Sequence, residues 1–252
     1  MPTPKRNNRV LIVSCLLIAC LQTVALASTE PVPFRATYTA DYKGLPVSAT
    51  GIRELTKLDD NRFMLSSTAN SFFATIKEQS IFELDENNTA VPLEYQYHRK
   101  GIGKNRDAVL EFDWKNKSVL NNVKKKPWNM KIDLGVMDKL LYQYQMRADL
   151  KYAKTNNQPW PNLSYQVADR GKLKQYEFEI LNEEAVETGI GDISTLKITR
   201  KRQAHDGRST VFWLALNYDF MLVRFQQLKE DGSGFELLLD DAQFGGEAIE
   251  AD

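Results

Sequence analysis

The stretch Phe34-Arg35-Ala36-Thr37-Tyr38-Thr39-Ala40-Asp41-Tyr42 places an apolar side chain at every second position and a polar or charged one between. Successive side chains of an extended chain point to opposite faces, so this spacing describes a strand with one face in a core and the other in water. Lys43-Gly44 interrupts the run, after which Leu45, Val47, Ala49 and Leu55 resume an alternation. The two runs together read as a hairpin.

The same grammar repeats along the chain. Asp59-Asp60-Asn61 is turn chemistry before Phe63 and Leu65, and the polar stretch 85–88 separates the runs 80–84 and 91–97. Lys115-Asn116-Lys117 joins the runs 108–114 and 118–120, and Asp169-Arg170-Gly171 stands before the alternation of Tyr176, Phe178 and Ile180. Further apolar runs lie at 196–198, 211–214, 222–225 and 235–239. Close turns favour antiparallel neighbours, because parallel pairing needs long crossovers. One segment has a different period: Met137, Leu140, Leu141, Tyr144 and Ala148 share the stripe of a helix, with Asp138 at its start. The expected architecture is mainly β: a large curved antiparallel sheet or open barrel of about twelve strands, with one main helix over about 137–151 packed against it. No linker-like composition divides residues 28–252, so they are expected to form a single β-rich domain.

The first 27 residues read as a signal peptide. Lys5, Arg6 and Arg9 precede an apolar run, and Ala25-Leu26-Ala27 supplies small residues before Ser28. The alternative is acylation at Cys20, since Leu17-Ile18-Ala19-Cys20 resembles a lipoprotein box. The run is too short for a stable membrane span. The expected location is therefore periplasmic or secreted, or lipid-anchored at the envelope, with membrane contact only if the chain is lipidated. Both cysteines lie in this leader, which leaves the rest of the chain without a disulfide or thiolate chemistry. Removing the three basic leader residues from 33 leaves 30 against 33 acids, a balance that offers no general footprint for nucleic acid.

Catalytic patterns are scarce. The two histidines, His98 and His205, are far apart in sequence, and no nucleophile elbow, phosphate loop or paired-histidine motif occurs. Adjacent acids such as Asp59-Asp60, Glu183-Glu184 and Asp240-Asp241 read as solvated turns or strand ends. No cofactor, metal site or catalytic residue is expected. Two features suggest binding instead. The 12 Phe, 10 Tyr and 4 Trp fall mainly on alternating faces, so a curved sheet either fills its inside with rings or leaves an apolar pocket, with Phe72, Phe73 and Ile76 as a candidate mouth. The basic loop of Arg99, Lys100 and Lys104, and with it Lys124-Lys125-Lys126, is a candidate anion contact.

The leader, the Phe34 strand, Val91-Pro92-Leu93-Glu94-Tyr95, Phe112-Asp113-Trp114, the segment from Tyr165 to Gly171 and Trp213-Leu214-Ala215 together resemble the secreted bacterial family known as domain of unknown function 3108, or DUF3108, over roughly residues 34–239. The resemblance implies an envelope-facing protein of antiparallel strands and carries no catalytic residue with it. Where the family usually has a proline before the strand after Trp-Leu-Ala, this chain has Leu222. The expected function is a non-enzymatic binding module for an apolar ligand or an envelope component. The alternative is an assembly factor that contacts a partner protein at a sheet edge; an enzyme is the least supported reading.

Overall fold

The alternation at residues 34–40 is built as read: Phe34, Ala36, Tyr38 and Ala40 are buried while Arg35 and Thr39 face water. The computed structural model describes residues 30–43, 48–59, 61–72, 74–101, 105–123, 127–202 and 207–252. The leader with Cys20, and Phe73, Lys104, Lys124-Lys125-Lys126 and His205, lie outside them.

In chain order the strands are β1 (Phe34–Lys43), β2 (Ser48–Lys57), β3 (Arg62–Asn70), β4 (Ala74–Leu84), β5 (Ala90–Gly101), β6 (Arg106–Asp113), β7 (Ser118–Asn121) and β8 (Trp128–Lys131). The helix α1 (Leu141–Thr155) follows, and then β9 (Ser164–Asp169), β10 (Lys172–Thr188), β11 (Gly191–Arg200), β12 (Arg208–Ala215), β13 (Leu222–Lys229), β14 (Gly234–Phe244) and β15 (Glu247–Ala248). They form one antiparallel sheet in the order β8-β7-β6-β5-β4-β3-β2-β1-β14-β13-β12-β11-β10-β9, with β15 against β14. Two meanders are thus joined where the first and last long strands pair, Phe34 opposite Phe244 and Lys43 opposite Gly234.

The sheet is open and strongly bent. A Cβ built on Gly171, in the β9–β10 turn, would lie 3.4 Å from the ring of Trp128 in β8, so the two ends of the strand order approach one another. That turn has positive φ at both central residues, Arg170 (55°) and Gly171 (74°), the geometry of a tight hairpin turn. The segment between β8 and α1 lines the remaining gap, because Met137 donates its N–H to Gln166 O at 2.8 Å and accepts from Ala168 N at 2.8 Å.

This bridge moves the helix. The stripe of apolar residues predicts a start at 137, but the Met137 backbone is committed to β9 and cannot enter a helical ladder. Helix α1 begins after the turn that Asp138 holds, and it runs on to Thr155 because no breaker precedes Asn157 (φ 49°). Among the described residues fifteen strands occur where about twelve were expected; β8 and β15 are four and two residues long, too short to show a period.

The helix lies on the inner face of the bend, since its side chains meet strands from both meanders. Tyr144 packs on Phe82 of β4 at 4.7 Å between ring centroids, and Tyr142 on Phe178 of β10 at 5.6 Å. Gln145 accepts from Ala90 N of β5 at 2.8 Å, and the Tyr165 hydroxyl of β9 donates to Asp149 at 2.7 Å. Phe178, Phe212 and Phe225 continue the ring contacts at 5.9 and 5.1 Å. The cavity beneath the helix lined by Phe34, Arg53, Tyr144 and Phe212 is only about 10 Å³, so side chains fill the interior at that point. Leu150, fully buried, is expected to cost about 2–5 kcal/mol when cut to alanine, read as a lower urea midpoint. The exposed Leu181, 46% accessible, should stay within about 0.5 kcal/mol under the same change.

Candidate functional site

Three groups of polar side chains stand out once the core is assigned. The first is buried at the start of α1. Asp138, fully shielded from solvent, accepts from the backbone N–H groups of Leu140 and Leu141, each at 2.8 Å, and from the Ser80 hydroxyl at 2.5 Å. Burial pushes its carboxyl up to about 7, against the opposing pull of Ser80 and the two N–H groups. Close by, the Tyr95 hydroxyl donates to Glu78 at 2.5 Å, and burial raises the phenol well above its ordinary value. With no access to solvent, Asp138 serves the fold as a helix-start acceptor.

The second group lies under the middle of the helix. Arg53 of β2 donates to Gln143 at 3.0 Å, while its Nε is buried without a protein acceptor. Arg147 donates to Asp219 O at 3.0 Å and stacks over Phe34 at 4.6 Å, and burial pulls its guanidinium down to about 10. Both arginines line the 10 Å³ cavity, which offers about the space of one water.

The third is the outer half of β10. Strand β9 pairs with it only as far as Glu177, and Phe178 N donates to Leu163 O at 2.9 Å. Beyond that point the α1–β9 loop turns away. Residues 179–185 therefore pair with β11 on one side and, among the described residues, with no strand on the other. A register shift leaves Leu181 without an opposite number in β11. Beside this edge runs an open groove of about 530 Å³, lined by Trp160, Pro161, Ile180, Leu181, Asn182 and Glu183 among others. Trp160 rests edge-on against Phe220 at 5.9 Å, which fixes one wall. Glu179 and Glu183 are exposed along the edge. Glu184 is engaged: it accepts from Trp213 at 2.6 Å, Asn182 at 2.9 Å and Lys197 at 3.1 Å, and these donors hold it down at about 2.

The residues singled out by sequence are scattered. Phe72 is 96% exposed at the tip of the β3–β4 turn, and Ile76 is half-buried in β4 opposite Arg99. Neither lines the cavity or the groove. Arg99 and Lys100 end β5, and His98 in the same strand meets Asp107 at 2.9 Å. The acidic pair Glu183-Glu184 sits inside β10 rather than in a turn, and Asp240-Asp241 lies within β14 rather than at its end. Among the described residues no group of three His, Cys, Asp or Glu side chains is placed to hold a metal ion.

Over residues 37–240 the sequence matches the family described as protein of unknown function DUF3108. The chain belongs to the DUF3108 family. No curated protein matches it. Among solved structures, this DUF3108 chain is similar to a β-barrel-like protein of the domain of unknown function DUF1849 from Brucella abortus, at 9% identity and a TM-score of 0.55, covering 86% of this chain and 99% of the other. That likeness supports the open, barrel-like sheet. Weaker similarities, with TM-scores of 0.32 and 0.23, are to a protein assigned as a lipoprotein from Parabacteroides distasonis, at 9% identity, and to a domain assigned to outer membrane lipoprotein sorting from Vibrio parahaemolyticus, at 11%. They cover 84% of this chain in each case, and 96% and 85% of the other chains.

Because the folded Asp138 titrates near 7 rather than at its ordinary 3.8, its contribution to stability is complete below about pH 4 and is lost as pH rises through 7. Asp138→Asn keeps an acceptor for the two N–H groups and removes the ionisation. We expect thermal melts of the wild type to fall relative to this variant between pH 4 and 7, by on the order of 4 kcal/mol at the limit, and to run parallel above pH 8.

Proposed function

We propose that the protein is an exported, non-enzymatic binding module of the cell envelope that takes an extended segment of another envelope component along the outer edge of β10. The reading is carried by one observation: residues 179–185 form an edge that, among the described residues, has no second partner strand, beside the 530 Å³ groove. In an antiparallel ladder, alternate residues direct both N–H and C=O to the same side, so such a run offers a ready set of backbone partners. Export is supported by the charged, apolar and small-residue regions of residues 1–27.

The chemistry of the edge narrows the partner. Trp160, Ile180 and Leu181 give apolar footing to side chains on one face of an added strand. Exposed Glu179 and Glu183 repel acidic segments and favour basic ones. The same acids and the register shift at Leu181 discourage pairing between two copies of this edge. Specificity then comes from charge and from the groove, while affinity comes from the main chain.

A heptapeptide of alternating lysine and valine is the probe. Backbone amide shifts on titration should concentrate at residues 179–185 and around Trp160, and Leu181→Asp should weaken binding about tenfold. Equal binding of a glutamate–valine peptide, or shifts spread elsewhere, would overturn the proposal. Saturable binding of a fluorescent fatty acid in the groove, with no response to either peptide, would favour an apolar small ligand instead. The leader is tested separately by intact mass: we expect a chain beginning at Ser28, whereas a diacylglyceryl group on Cys20 would mean a lipid anchor.

A further inference from the structure

The meander sorts the chain's charges by end. Strand pairing brings the β1–β2, β3–β4, β5–β6, β9–β10, β11–β12 and β13–β14 turns to one end of the sheet, since Lys43 lies opposite Gly234, Asn70 opposite Thr50, Ala74 opposite Gly101 and Arg208 opposite Lys229. Exposed Lys100, Arg106, Arg170, Lys201, Arg208 and Lys229 belong to this end. The acids there are fewer. Asp41, Asp107, Glu230 and Asp231 share it, with Asp107 engaged by His98 and Asp231 accepting from Ser233 N at 2.8 Å. The opposite end carries exposed Asp85, Glu86, Glu187, Asp192, Asp241 and Glu247, with Asp59, Asp113 and Asp240, and these outnumber the exposed bases Lys57, Arg62, Lys115 and Lys117 there. A sequence with 33 bases and 33 acids thus folds into a body with a basic end and an acidic end.

At the basic end stands the most exposed large apolar side chain on the described surface. Phe72 is 96% accessible, and the residues flanking it are tied together: Ser71 N donates to Ala74 O at 2.9 Å, and Ala74 N donates back to the Ser71 hydroxyl at 3.0 Å. A ring held outward at the same end of the sheet as these cations matches the two terms that hold proteins at an anionic bilayer: burial of an aromatic at the headgroup level and attraction to anionic lipid. An acidic protein partner would satisfy the cations but gives no reason for one projecting ring on a turn rather than a broad apolar patch.

We propose that the basic end, led by Phe72, docks on an anionic membrane surface, a contact that needs no acyl chain on Cys20. The outer edge of β10 lies along the side of the sheet, so this contact and peptide capture are separable.

The test uses protein recovered after export, with its N-terminus fixed by mass, and sedimentation with vesicles of phosphatidylcholine with or without 30% phosphatidylglycerol. Binding is expected only to the anionic vesicles and should fall steeply between about 0.05 and 0.5 M salt, as the Debye length shrinks from over 10 Å to under 5 Å. Each Lys or Arg near such a surface is worth about fivefold, so the triple change Lys100→Gln, Arg208→Gln, Lys229→Gln should cost roughly a hundredfold. Phe72→Ser should weaken vesicle binding but leave retention on a heparin column unchanged. The change Lys115→Gln, Lys117→Gln at the acidic end should have no effect. Equal binding to neutral vesicles, no binding at low salt, or indifference to the triple change would overturn the proposal. Vesicle binding that is indifferent to Phe72→Ser would also count against it and point to a polyanionic partner.

Discussion

A sheet bent far enough for its ends to approach has an inner face that must be filled, and here one helix fills it. The inward rings of β9, β10 and β12 touch one another, and α1 joins them to Phe82 of β4 through Tyr142 and Tyr144 while Leu150 and Gln145 add further contacts. Each fully buried large side chain contributes on the order of 2 kcal/mol, and the helix brings several at once. Everything polar on its inner side is accordingly tied down: Gln145 to a strand amide, Asp149 to Tyr165, Arg147 to a carbonyl, Asp138 to its own first turn.

The filled interior decides where binding can occur. The cavity beneath the helix, about 10 Å³, is too small for an apolar guest, and the described rims and edges offer binding surface instead. The α1–β9 loop creates one of these. By the time the chain returns as β9, it covers only the first part of β10, so part of that long strand has no second partner among the described residues. The groove beside Trp160 is a consequence of that shortfall.

Much of this was legible in sequence because it is local. Alternation at Phe34, Ala36, Tyr38 and Ala40, the turns at residues 85–88, 115–117 and 169–171, and the stripe of α1 all follow from side-chain period and turn chemistry. What was not legible depends on pairing. The helix starts late because the Met137 backbone joins β9, a contact between segments thirty residues apart that no period reveals. The edge at residues 179–185 exists only because β9 is short, and Glu183-Glu184 looked like a turn because a register shift at Leu181 breaks the alternation there. The separation of charge was within reach: in a meander, alternate turns share an end, and Arg99, Lys100, Arg106, Lys201, Arg208 and Lys229 fall at one set while the acids at 85–86, 187 and 192 fall at the other.

The account rests on a packed inside and an unclad outer strand, and native-state amide exchange measures both together. We predict slow exchange throughout the middle of α1 and in β11 from Ile193 to Ile198, with alternate amides of residues 179–185 exchanging at least a hundredfold faster than their β11 neighbours. Uniform protection along the whole of β10 would mean that another strand already covers that edge, and fast exchange in α1 would mean that the helix does not hold the interior; either result would contradict the account.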